Sequence, residues 1–218
     1  MKLSLLLFLI VSGFAQTSDV AYAPNSGGPG PTYTVERVTN CYPGSFSSVR
    51  AIDFRNFHFR EPSGGYTLKN GHFQHDTKLD HYSIDFEWTR SLPKADPSAG
   101  ESVIVVFSWF AAAGSSSQGG NAKVFSVSGN RLCVVEEIDW DTRFESGQPT
   151  DSFDSSTSTL VIRSAHYIPG DARCCVSAMD IVSLRWDGTQ FKPTAVQTEL
   201  SEYGKMRGKT LPRVSPPQ

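Results

Sequence analysis

Beyond residue 15 this chain has no apolar run of membrane-spanning length. The longest, Val103 to Ala113, is interrupted by Ser108, whereas a helix needs about 20 apolar residues to cross a bilayer. That run reads instead as a strand buried on both faces in the centre of a sheet. Charge is scarce as well: charged residues make up 19% of the 218, and the formal net charge is −2. Such a balance offers no clustered basic surface to displace phosphate counterions, which excludes nucleic acid as a partner, and no polybasic footprint for anionic lipid. Nucleophile signatures are missing. Gly114-Ser115-Ser116-Ser117-Gln118 lacks the final glycine of a nucleophile elbow, and no glycine-rich phosphate loop precedes a helix. No segment sustains a helical stripe, so long amphipathic helices are excluded; one short helical turn is expected within residues 46–52.

What is present begins with the N-terminus. Met1 and Lys2 give a short positive start, Leu3 to Phe14 are mostly apolar, and Gly13 and Ala15 place small residues at −3 and −1 of a cut after Ala15. This layout predicts a secretory signal peptide over residues 1–15. No cysteine lies at the cut for lipid attachment, so a soluble secreted or periplasmic protein without membrane insertion is expected. Residues 16–32, rich in Gly, Pro, Ser and Asn, read as a flexible linker. Residues 33–202 read as a single β-rich domain, and residues 203–218, with Lys205, Arg207, Lys209, Arg213 and several prolines, as a disordered basic tail.

Within the domain the period is two. Ile52 to Phe59 reads as a strand with a bulge near Phe57. Asn70-Gly71 suits a type I′ turn, whose central residues both take positive φ. Tyr82, Ile84, Phe86 and Trp88 alternate with polar residues as one half-buried strand. Gly129-Asn130 and Asp187-Gly188 mark two further hairpins, and 91–101 and 111–121 read as small-residue connectors. The sum is an all-β antiparallel meander of about nine or ten strands, arranged as a sandwich, a barrel or a propeller-like sheet. The long connection 141–158 is of the kind that often carries function.

Four cysteines in an exported chain, Cys41, Cys133, Cys174 and Cys175, predict two disulfides with three possible pairings. The turn residues Pro169-Gly170-Asp171 favour the pairing that joins Cys174 to Cys175 and Cys41 to Cys133. His72, His75, Asp76 and His81 gather nitrogen and oxygen donors within ten residues, as a transition metal requires. Their spacing fits no closed zinc pattern, and His72 and His75 face opposite sides of an extended strand. Glu137, Asp139 and Asp141 share one face at period two; they suit Ca²⁺ or a glycosidase pair by type, but no calcium-loop turn accompanies them and nothing in the spacing favours a glycosidase pair, so they read first as a solvated strand face. His58 and His166 stand alone. No set of these residues is assigned catalysis or a cofactor.

Two stretches carry a resemblance. Arg55-Asn56-Phe57 followed by Leu68-Lys69-Asn70-Gly71 forms an "RNF…LKNG" opening; Gly170-Asp171 with Cys174-Cys175, then Arg185-Trp186-Asp187-Gly188 and Phe191, form a "GDxxCC…RWDGxxF" close. Residues 50–192 thereby resemble a loose group of uncharacterised secreted bacterial β-rich proteins. The resemblance implies export, a β-rich fold and paired cysteines, and no activity. In many members an acidic Gly-Asp-Gly turn precedes the central strand; here that place reads Pro93 to Gly100 without it. The sequence therefore supports an exported, non-catalytic β-rich binding or structural protein whose ligand and partners are unspecified. The alternative is a secreted metal-dependent hydrolase using residues 72–81.

Overall fold

The structure, a computed structural model, describes residues 30–61, 64–78, 80–94, 96, 100–112, 116–142, 151–172 and 175–211. The expected signal peptide, most of the expected linker and residues 212–218 lie outside them. Thirteen strands run through the described residues: β1 (Gly30–Pro31), β2 (Tyr33–Cys41), β3 (His58–Glu61), β4 (Gly64–Thr67), β5 (His72–Asp76), β6 (His81–Leu92), β7 (Ser102–Ala112), β8 (Ser116–Ser128), β9 (Arg131–Asp141), β10 (Asp151–Asp154), β11 (Thr159–Tyr167), β12 (Ala178–Trp186) and β13 (Phe191–Leu200). Six of them pair in the order β2-β9-β8-β7-β6-β5, and β11-β12-β13 form a second sheet whose β11 edge is shared by β1 and β10. All pairs are antiparallel. The fold is a sandwich, and neither sheet closes into a barrel.

One core fills the space between the sheets. Ile104, Val106, Ala122, Val124, Ile138 and Trp140 of the six-stranded sheet pack on Leu160, Ile162, Val182 and Leu184 of the other. A second core lies on the opposite face of the six-stranded sheet. There Val103, Val105, Phe107, Phe125, Leu132 and Val134 are covered by the β3–β4 hairpin and by two 3-10 turns, Val49–Ala51 and Phe54–Asn56. β7 thus has apolar residues on both faces because both faces are covered. The buried ring of Phe59 meets Phe107 edge-on at 5.0 Å and stacks on Tyr66 at 5.1 Å.

Several local expectations change for physical reasons. The strand expected over Ile52 to Phe59 is a 3-10 turn followed by β3, because the Asp53 side chain caps Arg55 N at 3.1 Å and binds Asn56 at 2.8 Å. Asn70 and Gly71 take positive φ, 54° and 89°, and Lys69 and His72 exchange both backbone hydrogen bonds across them, at 2.9 and 3.1 Å, so the expected tight turn forms; beyond that one bridge the flanking strands pair with different partners, β4 with β3 and β5 with β6. Trp88 does not share a face with Tyr82, Ile84 and Phe86. A bulge at Glu87 shifts the register between Phe86 and Trp88, so Trp88 packs into the core between the sheets. Most of the 111–121 connector is strand, since Ser116 to Asn121 pair with β7 and, from Gly119, also with β9. The start of the expected tail folds as a short helix, α1 (Glu202–Met206), whose Gly204 packs so closely on Ser177 that a Cβ would stand 2.1 Å from its carbonyl oxygen.

Cys41 and Cys133 face each other across β2 and β9 and are disulfide-bonded. Cys175 is also disulfide-bonded, and Cys174 lies outside the described residues. The Cys175 segment is anchored by the buried carboxylate of Asp171, which accepts from Ile168 N at 3.0 Å, Ser177 N at 2.9 Å and Ser177 Oγ at 2.5 Å.

A bulge at Val135 places Glu136 between the sheets, 1% exposed. The Phe191 N–H donates to both its oxygens, at 3.1 and 2.9 Å. Burial pushes the Glu136 carboxyl up to about 7, against the opposing pull of that N–H and of Arg37. A carboxyl raised in the folded state contributes its full stability below its unfolded pKa and loses it as pH climbs through the folded one. Unfolding free energy from urea titrations should therefore fall by on the order of 3 kcal/mol between about pH 4.5 and about pH 7.5. Glu136→Gln should flatten that fall.

Candidate ligand-binding cleft

The alternation of three neighbouring strands builds a polar floor on the hairpin-covered face. On β8, Ala122 and Val124 point between the sheets, which sends Gly119, Asn121 and Lys123 to the other side. On β9 the bulge at Val135 resets the phase, so Glu137 and Asp139 face the same way as Lys123. β7 adds Phe107 and Trp109, β6 adds Tyr82 and Ile84, and β5 adds Phe73 and His75. The hairpin closes one side with Glu61, Gly64, Gly65 and Tyr66. Together these residues enclose an open cleft of about 800 Å³, within the range of small-molecule sites.

Lys123 organises the floor. Its side chain is 4% exposed, and its ammonium sits 2.9 Å from Glu61 Oε1 and 3.0 Å from Glu137 Oε1. Burial works to neutralise it, but Glu137 and Glu61 outweigh burial and hold its pKa above the ordinary lysine value. Burial raises Glu137 despite Lys123. Asp139 is open to solvent yet walled by protein; that crowding raises it too, against the pull of Asn121, whose Nδ2 donates to Asp139 Oδ1 at 2.6 Å. Asn121 Oδ1 is buried with no hydrogen-bond partner among the described residues, leaving an acceptor beside Asp139.

Aromatic surface completes the cleft. Tyr82 is 36% exposed, and Tyr66 stacks on Phe59. The indole of Trp109 runs across Gly119, where a Cβ would stand 2.7 Å from the ring and 2.0 Å from the Trp140 carbonyl oxygen. Gly120 does the same for Trp140 on the other face, with a Cβ 2.0 Å from that ring. The glycine pair is therefore a double slot for two indoles rather than a connector.

The histidine segment divides between the two faces of β5. His75 lines the cleft beside Tyr82. His72 and Asp76 lie on the opposite face with Gln74; His72 Nδ1 is 2.7 Å from Asp85 Oδ1, Gln74 Nε2 donates to Asp76 Oδ2, and His81 pairs with Asp76. The Asp85 hydrogen bond raises the His72 pKa, and the His81 hydrogen bond lowers that of Asp76. Among the described residues no three His, Cys, Asp or Glu side chains are grouped to hold a metal ion. His58 bonds Thr67 at 2.9 Å, and His166 pairs with the buried Asp180 at 2.8 Å. Of the acidic trio, Glu137 and Asp139 line the cleft and Asp141 lies beyond its lining.

No family model matches the chain, and neither a curated protein nor a solved structure matches it.

Removing one partner of a buried ion network leaves charge without compensation, at a cost of about 3 kcal/mol or more. Lys123→Ala should lose that much stability near pH 7. It should regain part of it as pH falls toward about 5, because Glu137, which burial already raises and Lys123 no longer opposes, takes up a proton more readily. Chemical denaturation at both pH values checks this. Gly119→Ala, which forces backbone and indole apart, should lower the thermal midpoint and change Trp fluorescence.

Proposed function

We propose that this chain is an exported, non-catalytic binding protein whose cleft takes a ligand of the carbohydrate class. One observation carries the reading: Tyr66, Tyr82 and Trp109 share a single cleft with a fixed row of polar groups, Lys123, Glu137, Asp139 and Asn121. Aromatic faces suit the C–H faces of a sugar ring, and a few placed donors and acceptors suit its hydroxyls. The floor is held in place before any ligand arrives, by the Lys123 and Asn121 contacts, which lowers the ordering cost of binding.

The cleft chemistry favours binding over turnover. Glu137 is engaged by Lys123, and the lining residues include no Ser, Thr or Cys beside a base. The metal-dependent hydrolase alternative requires His72, Asp76 and His81 to join His75, and they lie on the other face of the sheet, His72 and Asp76 on β5 and His81 opposite Asp76 on β6. Export is supported by the signal-like N-terminus and by the Cys41–Cys133 disulfide, a bond that persists in oxidising compartments. Among the described residues no helix is long and apolar enough to cross a membrane.

Calorimetric titration of the purified protein against a panel of oligosaccharides should find binders. Tyr82→Ala and Trp109→Ala should each weaken binding about tenfold or more, from the loss of a stacking face, with Tyr82→Ala leaving the thermal midpoint unchanged. Absence of any sugar binding, or cleavage of a bound sugar detected by mass spectrometry, would overturn the reading. Protein recovered from outside the cytoplasm should begin at Gln16; an intact Met1 on that material counts against export by cleavage.

A further inference from the structure

The charge of the cleft narrows its ligand, an inference that rests on the carbohydrate reading above. Glu61, Glu137 and Asp139 line the cleft, and Glu36 stands opposite Glu137 on β2. The basic side chains of the lining are Lys123 and His75. Lys123 is committed to Glu61 and Glu137, so little of its charge faces a ligand. The nearby guanidinium groups are engaged elsewhere: Arg37 reaches the Thr189 carbonyl oxygen and Arg60 that of Cys41. The floor is therefore acceptor-rich and net negative. Asp139 is open to solvent there, and beside it Asn121 Oδ1 is a buried acceptor without a partner among the described residues.

Three kinds of sugar meet this floor differently. A uronic acid or sugar phosphate brings a second negative charge against Glu137 and Asp139 and is repelled. A neutral sugar stacks and donates hydroxyl hydrogens, with no charge assistance. An amino sugar with a free ammonium donates charge-assisted hydrogen bonds to Asp139 and Asn121 Oδ1 while its ring stays beside Tyr82 and Trp109, whose π faces also attract cations. We infer that the cleft selects oligosaccharides of glucosamine type, bearing free ammonium groups, with Asp139 and Asn121 as the specificity-determining pair.

The test is calorimetric titration of the full protein near pH 6, where such amines are charged, with four probes: a glucosamine tetramer, its fully N-acetylated counterpart, a glucose tetramer and spermidine. The glucosamine tetramer should bind about tenfold tighter than either neutral tetramer, the value of one charge-assisted bond. Raising NaCl from about 50 to about 300 mM should weaken it several-fold and leave the neutral sugars unchanged. Asp139→Asn, at an exposed side chain, should keep the thermal midpoint and erase the preference, bringing the glucosamine tetramer down to the affinity that the same variant shows for the neutral tetramers. Equal binding of charged and neutral tetramers overturns the inference and leaves the carbohydrate reading standing. Spermidine binding as tightly as the glucosamine tetramer overturns it in favour of charge alone. A preference that persists in Asp139→Asn overturns the assignment to this pair, and failure of every sugar to bind overturns both readings together.

Discussion

The ammonium of Lys123, buried between Glu61 and Glu137, is the contact on which the cleft depends. Glu61 comes from the β3–β4 hairpin, Glu137 from β9 and Lys123 from β8. One ion network thus joins the covering hairpin to the six-stranded sheet. Apolar packing alone, through Phe59, Tyr66 and Phe107, would hold the hairpin close without fixing its tip. A buried ammonium cannot accept a loose arrangement, because any carboxylate that drifts away leaves charge unpaid in a poorly solvated site. The network therefore adds position more than stability, and it gives the cleft its wall, its floor and its sign of charge.

The rest of the floor follows from two register shifts and one pair of glycines. The bulge at Val135 lets Val134 and Glu137 face the hairpin side together, whereas strict alternation would have sent Glu136 there. The bulge at Glu87 keeps Phe86 on that side and delivers Trp88 to the core between the sheets. Gly119 and Gly120 then allow one indole on each face of β8. Each device costs regular pairing or backbone entropy. Each returns a side chain aimed at a particular layer.

Legibility in the sequence tracks how local the cause is. Alternation over Tyr82–Phe86 and over Glu137–Asp141 gave both strands and the correct common face of Glu137 and Asp139. The all-apolar Val103–Phe107 stretch read correctly as a central strand, since both its faces are buried. Gly129-Asn130 and Asp187-Gly188 marked their turns, because positive φ is a property of the residues themselves. Trp88 was misplaced because an alternating pattern carries no sign of an inserted bulge residue. Residues 116–121 looked like a connector because small residues are ambiguous until a partner fills the space above them. Of the cleft's ionic groups, Glu137 and Asp139 were legible by their period and His75 by its neighbours, whereas Lys123 left only the trace of a charge on a strand otherwise built of Ala122, Val124 and Phe125. Glu61 left none.

By itself the amino-acid sequence determined an all-β antiparallel chain, its tight turns and the even set of cysteines, since period, positive φ and residue type are carried within a few neighbouring positions. Only the tertiary structure decided that Cys41 meets Cys133, that His75 parts from His72 and His81, and that Glu61, Lys123 and Glu137 converge under aromatic rings. Those outcomes depend on which strands lie side by side and in what register, and pairing between distant segments is settled by the packing of both cores at once.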